Sequence, residues 1–325
     1  MLAFCSVARL LSKSLALAGL VAVLVGYQSA QAQSCPRPAG MDERYCDADG
    51  DLVADTPTDP AQIVNPDTLL ISYTSSEDPA VYSETWQEFT DYLKQVTGKD
   101  VQFVPVDSEA AQIEAMRAGR LHIMGTCTGC TPRAVNQAGF VPFAVFAKED
   151  GSFGYEMEVI TRIDSGLEKL EDIKGRRIAF TQPSSNSGYI SARILIEAET
   201  GFKDGVDYEA NFSGGHENSI LGVFNGDYDA APIANDVLNR MCIAGQVQCD
   251  QFRTLYKSAT FPSGPFGYAH NLDPQLQEKI REAFYTFDFA GTKLAEAFDR
   301  ASFAPITYKE DWEVIRLIQE NAPPQ

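Results

Sequence analysis

The chain has 325 residues, with 45 acidic and 26 basic side chains and a formal net charge of −19 at pH 7. So acidic a chain excludes nucleic acid and anionic membrane as partners held by bulk charge. Its length suits two lobes, each large enough to bury its own core.

The chain opens with Arg9 and Lys13 ahead of an apolar run over residues 15–25, and Ala30-Gln31-Ala32 follows. Small residues at the outer positions of that triplet mark a cleavage site. Residues 1–32 therefore read as a secretory signal peptide, cut after Ala32, which predicts export to an oxidising compartment. The run is too short to span a bilayer as a helix. Removing Arg9 and Lys13 makes the remaining chain more acidic still.

Residues 33–66 are rich in Pro, Asp and Gly and form an acidic N-terminal extension. Within it, "DADGDLVAD" spaces Asp47, Asp49, Asp51 and Asp55 as calcium loops do. It departs from such a loop at Leu52, where the sharp-turn glycine belongs, and at Thr58, where the bidentate glutamate belongs. A solvated acidic loop is the competing reading. A bound calcium would be structural, pinning the extension together with a Cys35–Cys46 bridge.

From residue 67 the pattern becomes regular. "TLLISYT" is an apolar strand, and "VYSETWQEFTDYLKQVTG" is a helix stopped by Gly98. "VQFVPV" is a strand, "SEAAQIEAMRAGR" a helix capped by Ser108, and "LHIMG" a third strand. The alternation recurs: strand "RRIAFT", helix "SGYISARILIEAETG", strand "YEANFSG", helix "HENSILGVFNG", strand "YDAAPI". "DPQLQEKIREAFYTF" and "YKEDWEVIRLIQEN" are helices of the tail. This order predicts an α/β fold with parallel sheets. "GYEMEVITR" and "TLYKSATF" read as strands where the chain crosses between lobes. The expected lobes are residues 67–156 plus 259–325 and residues 157–258, with a ligand cleft between them.

Cys5 falls in the signal, leaving Cys35, Cys46, Cys127, Cys130, Cys242 and Cys249. An oxidising compartment favours disulfides, and the spacing suggests Cys35–Cys46 and Cys242–Cys249 as local pairs. That sets apart the hexamer "GTCTGC", residues 125–130, which lies between a strand and a proline able to open a helix.

"TQPSSNSG" places Ser184, Ser185, Asn186 and Ser187 between a strand and a helix, where hydroxyls, an amide and backbone N–H groups suit an oxygen-rich ligand. Helix capping accounts for the same residues. Asn235 and Asp236, after "YDAAPI", read either as caps or as acceptors for a protonated ligand oxygen. No Ser-His-Asp arrangement, GxxxxGKS loop or dinucleotide fingerprint stands out, so the reading is a binding protein, not an enzyme.

Five stretches in order carry a resemblance: "YTSSEDPAVYSETWQEFTDYLKQVTG", "EAMRAGRLHI", "LEKLEDIKGRRIAFTQPSSNSG", "GGHENSILGVFNGDYDAA" and "YKSATFPSGP". The chain resembles periplasmic solute-binding proteins of phosphonate, phosphite and phosphate ABC transport. The resemblance implies a type II periplasmic-binding-protein fold, two Rossmann-like lobes closing on ligand about a hinge. It also implies that His216, one of three histidines, meets the ligand, and that Tyr73, with Glu77 and Asp78, faces the cleft.

In that family the loop at 125–130 carries hydroxyl or amide side chains against ligand. Here Cys127 and Cys130 stand at two of those positions, while Thr126, Thr128 and Thr131 stay polar. Two thiolates in one turn suit a soft centre such as trivalent arsenic. The chain is similar in this to an arsenite-binding branch that reports to a membrane histidine kinase controlling arsenite oxidation. Three rival readings stay open: a structural Cys127–Cys130 disulfide in a phosphonate or phosphate carrier served by an ABC permease, a thioredoxin-like redox pair, and half of a zinc site. Apart from calcium, no cofactor is expected.

Overall fold

The computed structural model describes residues 35–73, 82–106 and 108–320. The signal segment 1–32, Glu77 and Asp78 lie outside the described residues. The strands are β1 (Thr68–Tyr73), β2 (Asp100–Phe103), β3 (Ile123–Gly125), β4 (Phe140–Ala147), β5 (Tyr155–Arg162), β6 (Arg177–Phe180), β7 (Glu209–Phe212), β8 (Ala230–Ala234), β9 (Phe252–Phe261), β10 (Pro265–Ala269) and β11 (Ser302–Pro305). The helices are α1 (Tyr82–Thr85), α2 (Gln87–Thr97), α3 (Glu109–Arg117), α4 (Thr131–Ala138), α5 (Ser191–Thr200), α6 (His216–Asn225), α7 (Asn235–Ile243), α8 (Pro274–Thr286), α9 (Lys293–Phe298), α10 (Tyr308–Asp311) and α11 (Glu313–Glu320). None of these helices is long and apolar enough to cross a membrane.

Local chemistry sets the helix ends. Ser108 Oγ accepts from Ala111 N and starts α3, and Gly98 at φ 70° ends α2. The helix expected over residues 81–98 breaks at Trp86, and the tail helix breaks at Trp312. Both indoles are fully buried, and Trp312 Nε1 donates to Thr128 O at 3.1 Å. Backbone bonds still run through both residues, from Thr90 N to Trp86 O and from Arg316 N to Trp312 O, so each break is a local loosening.

Two sheets form, in orders β11-β4-β10-β3-β1-β2 and β7-β6-β8-β5-β9. β1 runs parallel to β2 and β3, and β6 runs parallel to β7 and β8. The other pairings are antiparallel. The sheets are thus mixed, where wholly parallel ones are expected from the sequence. Parallel pairing needs a crossover helix between neighbours. β10 instead arrives from the second sheet and inserts between β3 and β4, antiparallel to both. The expected lobe boundaries cut through β5 and β9, but these strands pair with each other along their lengths inside the second sheet. The chain passes between sheets at residues 148–154 and 262–264. Ser263 Oγ accepts from Gly154 N at 3.1 Å and ties the two passages together.

The first lobe packs around buried Trp86, Phe89, Phe146, Phe266, Phe284 and Phe303. Each such ring contributes about 1.5–3 kcal/mol by leaving water. The extension docks on this lobe: Asp42 N donates to Asn136 O, Tyr45 OH to Gln137 O and Val64 N to Asn271 O. Disulfides join Cys35 to Cys46 and Cys242 to Cys249, the pairs that the spacing suggests.

Candidate functional site

In α/β sheets the loops after parallel strands converge on the ligand. Here the loops after β3 and β6 face each other across a cavity of about 160 Å³. Pockets for drug-sized ligands run to roughly 300–1,000 Å³, so this one suits a smaller guest.

Thr126 follows β3 and Thr181 follows β6, at matching places in the two lobes. Both line the cavity, and they are 2% and 1% exposed. Among the described residues, neither hydroxyl has a hydrogen-bond partner. A buried hydroxyl without a partner carries a desolvation cost of about 1–3 kcal/mol. Both residues stand on the wall of one cavity, from opposite lobes, where a polar guest would satisfy a hydroxyl that turned to it.

Three close backbone contacts shape the walls. A side chain on Gly188 would place Cβ 1.9 Å from Thr181 Oγ1, so only glycine lets the "TQPSSNSG" segment lie against the end of β6. Gly129 plays the same part across the cleft, where Cβ would fall 2.6 Å from Ser184 O. Cys127 Sγ also lies 3.7 Å from Ser184 O. With no hydrogen on a disulfide sulfur, that is a packing contact.

Cys127 and Cys130 are joined as a disulfide, so neither is a thiolate in this structure. Cys127 lines the cavity. Cys130 is 4% exposed and stands behind it at the foot of α4. Thr131 Oγ1 donates to Cys127 O, which closes the turn, and Thr131 also stands outside the cavity lining. Thr128 lines the cavity while its hydroxyl donates to Pro262 O at 2.8 Å. The loop's carbonyls are held by the tail: Trp312 takes Thr128 O, and Gln319 Nε2 donates to Gly129 O at 2.7 Å.

Of the serine segment, Ser185, Asn186 and Ser187 line the cavity and Ser184 does not. The chain there forms a π-helical turn over Asn186–Ile190 before α5. Ser185 Oγ accepts from Gly188 N, an N-cap bond. Asn186 is committed at both ends: Nδ2 donates to Tyr155 OH at 3.1 Å, and Oδ1 accepts from Ser191 Oγ at 2.5 Å. These bonds fix its orientation and leave one N–H and one lone pair of the amide beyond them.

His216 begins α6, and its Nδ1 accepts from Ala234 N at 3.1 Å. The backbone N–H therefore claims Nδ1 as an acceptor, and the neutral ring carries its proton on Nε2. Nε2 lies 3.4 Å from Ser185 Oγ beside the cavity. Burial pushes the imidazole down to about 4, so it is a neutral donor at physiological pH.

Asp236 lines the cavity from α7, and its Oδ2 accepts from Arg240 Nη1 and Arg300 Nη2, each at 3.4 Å. Arg300 comes from the first lobe and its side chain is 9% exposed. The pair therefore bridges the lobes. Asn235 faces elsewhere, accepting from Glu156 N and donating to Glu156 Oε2. Tyr73, Phe146 and Phe298 form an apolar wall on the first lobe.

Sequence reasoning missed Thr181, Tyr155, Arg240, Arg300 and Glu109, all of which line the cavity. Thr181 was findable, because it ends "RRIAFT" immediately before the serine segment. Arg300 follows α9 and carries no local motif. Among the described residues the lining holds two arginines and two carboxylates, so oriented neutral donors would matter to ligand selectivity as much as charge.

Residues 71–312 match the family described as "ABC transporter, phosphonate, periplasmic substrate-binding protein". The Phosphate-import protein PhnD of Mycolicibacterium smegmatis is 25% identical over 261 residues, covering 77% of this chain and 81% of that protein. The Phosphonates-binding periplasmic protein of Escherichia coli is 23% identical over 249 residues, covering 75% of this chain and 73% of that protein. Among solved structures, a binding protein component of an ABC phosphonate transporter from Pseudomonas aeruginosa superposes with TM-score 0.68 at 22% identity, over 78% of this chain and 85% of its own. PhnD1 from Prochlorococcus marinus, solved in complex with methylphosphonate, gives TM-score 0.68 at 15% identity, over 79% and 98%. These likenesses show a mixed α/β, two-sheet periplasmic-binding-protein fold. The family consists of substrate-binding proteins, not enzymes, and with most of its length matched, this chain belongs to the periplasmic substrate-binding proteins of phosphonate ABC transporters.

Proposed function

We propose that this protein captures a small oxyanion of the phosphonate, phosphite or phosphate class between its lobes, in the periplasm, and delivers it to an ABC permease. The observation that carries this reading is the pair of buried, unpartnered hydroxyls of Thr126 and Thr181. An anion oxygen bound between them would satisfy both, and His216 Nε2–H adds a neutral donor beside it. Ligand would favour the closed arrangement by bridging groups of both lobes. Family membership supports a periplasmic site of action, and the reading of residues 1–32 as a secretory signal agrees with it.

The place of Cys127 on the cavity wall favours a second reading, capture of arsenite; the resemblance to the arsenite-binding branch adds signalling to a membrane histidine kinase. It requires the Cys127–Cys130 bridge to be opened by a two-electron reductant, giving two thiols. Arsenous acid would then exchange two hydroxyls for sulfur and release two waters. In the bridged form neither sulfur is available to arsenic.

A melting-temperature screen separates the two. The ligands are methylphosphonate, phosphite, phosphate and arsenite, on wild type and Cys127→Ser, with and without a phosphine reductant. The oxyanion reading expects stabilisation by one or more of the phosphorus anions in both proteins, whatever the redox state. Stabilisation by arsenite alone, only after reduction and lost in Cys127→Ser, would overturn it in favour of the arsenite reading.

A further inference from the structure

We propose that the acidic turn at residues 47–55 is a calcium site that fixes the N-terminal extension to the first lobe. The side-chain oxygens of Asp47, Asp49 and Asp51 come within 4.8 Å of one another. Three carboxylates that close repel unless a cation sits among them. Asp47 supplies a second, separate observation. It is 5% exposed, and among the described residues its buried Oδ1 has no hydrogen-bond partner. A buried carboxylate beside two others, with one oxygen left without a donor, has the environment of a metal ligand.

The backbone is shaped to match. Leu52 stands at the sixth position of the loop, where calcium loops turn sharply, and it adopts φ 70°. Its N–H donates to Asp47 Oδ2 at 3.2 Å. Asp51 N donates to Asp49 Oδ1 and Val53 N to Asp51 Oδ1. The missing glycine is thus no obstacle: leucine is held in the left-handed conformation, its side chain packed on the core of the first lobe. Asp55 departs from the expected set of four. It is absent from the converging group, and its Oδ2 accepts from Ala48 N at 2.7 Å.

The turn is wired to the lobe around it. The Cys35–Cys46 bridge ends one residue before Asp47. Lys309 Nζ donates to Gly50 O, and His270 Nδ1 lies 2.8 Å from Asp55 O. Three carboxylates leave half or more of the six to eight oxygens that calcium needs to backbone carbonyls and water. That composition predicts weak binding, on the order of 10⁻⁴ to 10⁻³ M, as in extracellular modules.

The test is calorimetry and thermal melting of the whole chain after chelator treatment, titrated with calcium chloride or magnesium chloride. Calcium should give a one-site heat and raise the melting point by about 3 °C or more at ~10 mM. Magnesium, which demands tighter octahedral geometry, should give a smaller shift. Asp49→Asn combined with Asp51→Asn should abolish the calcium shift while the calcium-free melting point stays level or rises, since mutual repulsion is relieved. Both side chains are exposed, so the fold should survive the change. No heat and no shift for wild type at ~10 mM calcium, or an undiminished shift in the double variant, overturns the proposal.

Discussion

Replacing Thr126 or Thr181 with valine should move stability and affinity in opposite directions. Valine keeps the shape of threonine and removes the hydroxyl. Among the described residues each hydroxyl is buried and unpartnered, so its removal should relieve a desolvation cost of about 1–3 kcal/mol. At a few degrees per kcal/mol for chains somewhat shorter than this, each change should raise the melting point by about 2–5 °C in buffer free of phosphate and phosphonate. In the complex, the same hydroxyl would donate to a charged oxygen, an interaction of about 1.5–3 kcal/mol. Its loss should weaken methylphosphonate binding by about 10- to 150-fold, read by isothermal titration calorimetry. The residues stand on separate lobes, so the melting-point effects of the two substitutions should roughly add. A lower melting point with unchanged affinity would refute the reasoning, because it would make the hydroxyls structural.

Two further outcomes follow from the same cleft. The folded state holds His216 at about 4, below the ordinary value of 6.5. Both states are neutral above pH 6.5. On acidification the unfolded chain takes up the proton first, so stability falls between about pH 6.5 and 4 and levels off below. His216 accounts for about 3 kcal/mol of that loss, and denaturant melts of His216→Gln across this range should show a shallower decline. Arg300→Met should weaken methylphosphonate at least about tenfold, because it removes a nearly buried cation from the cavity wall. Calorimetry showing unchanged or tighter binding would mean that Arg300 serves only to hold Asp236.

The alternation of apolar runs with helical spacing from residue 67 was enough to determine an α/β chain and most of its early elements. The loops that matter were legible too: Thr126, Cys127, Thr128, Ser185, Asn186, Ser187, His216 and Asp236 all line the cavity. They could be found because strand-end loops are local in sequence, and a glycine or a cap marks each one. The disulfides at Cys35–Cys46 and Cys242–Cys249 were legible for the same reason, being short-range.

Other features were decided only by the assembled fold. Strands β4, β10 and β11 have no counterpart among the predicted elements: β4 and β10 flank the passages between sheets, and β11 is a short edge strand added beside β4. The direction of β10 depends on which neighbours it finds, not on its own residues. Cys127 and Cys130 share a turn in the sequence, yet one faces the cavity and the other is buried behind it. Arg300 meets Asp236 only because two lobes built from distant stretches face each other. The state of the threonine hydroxyls is of the same kind: a missing partner is a property of everything around an atom, and local sequence does not encode it.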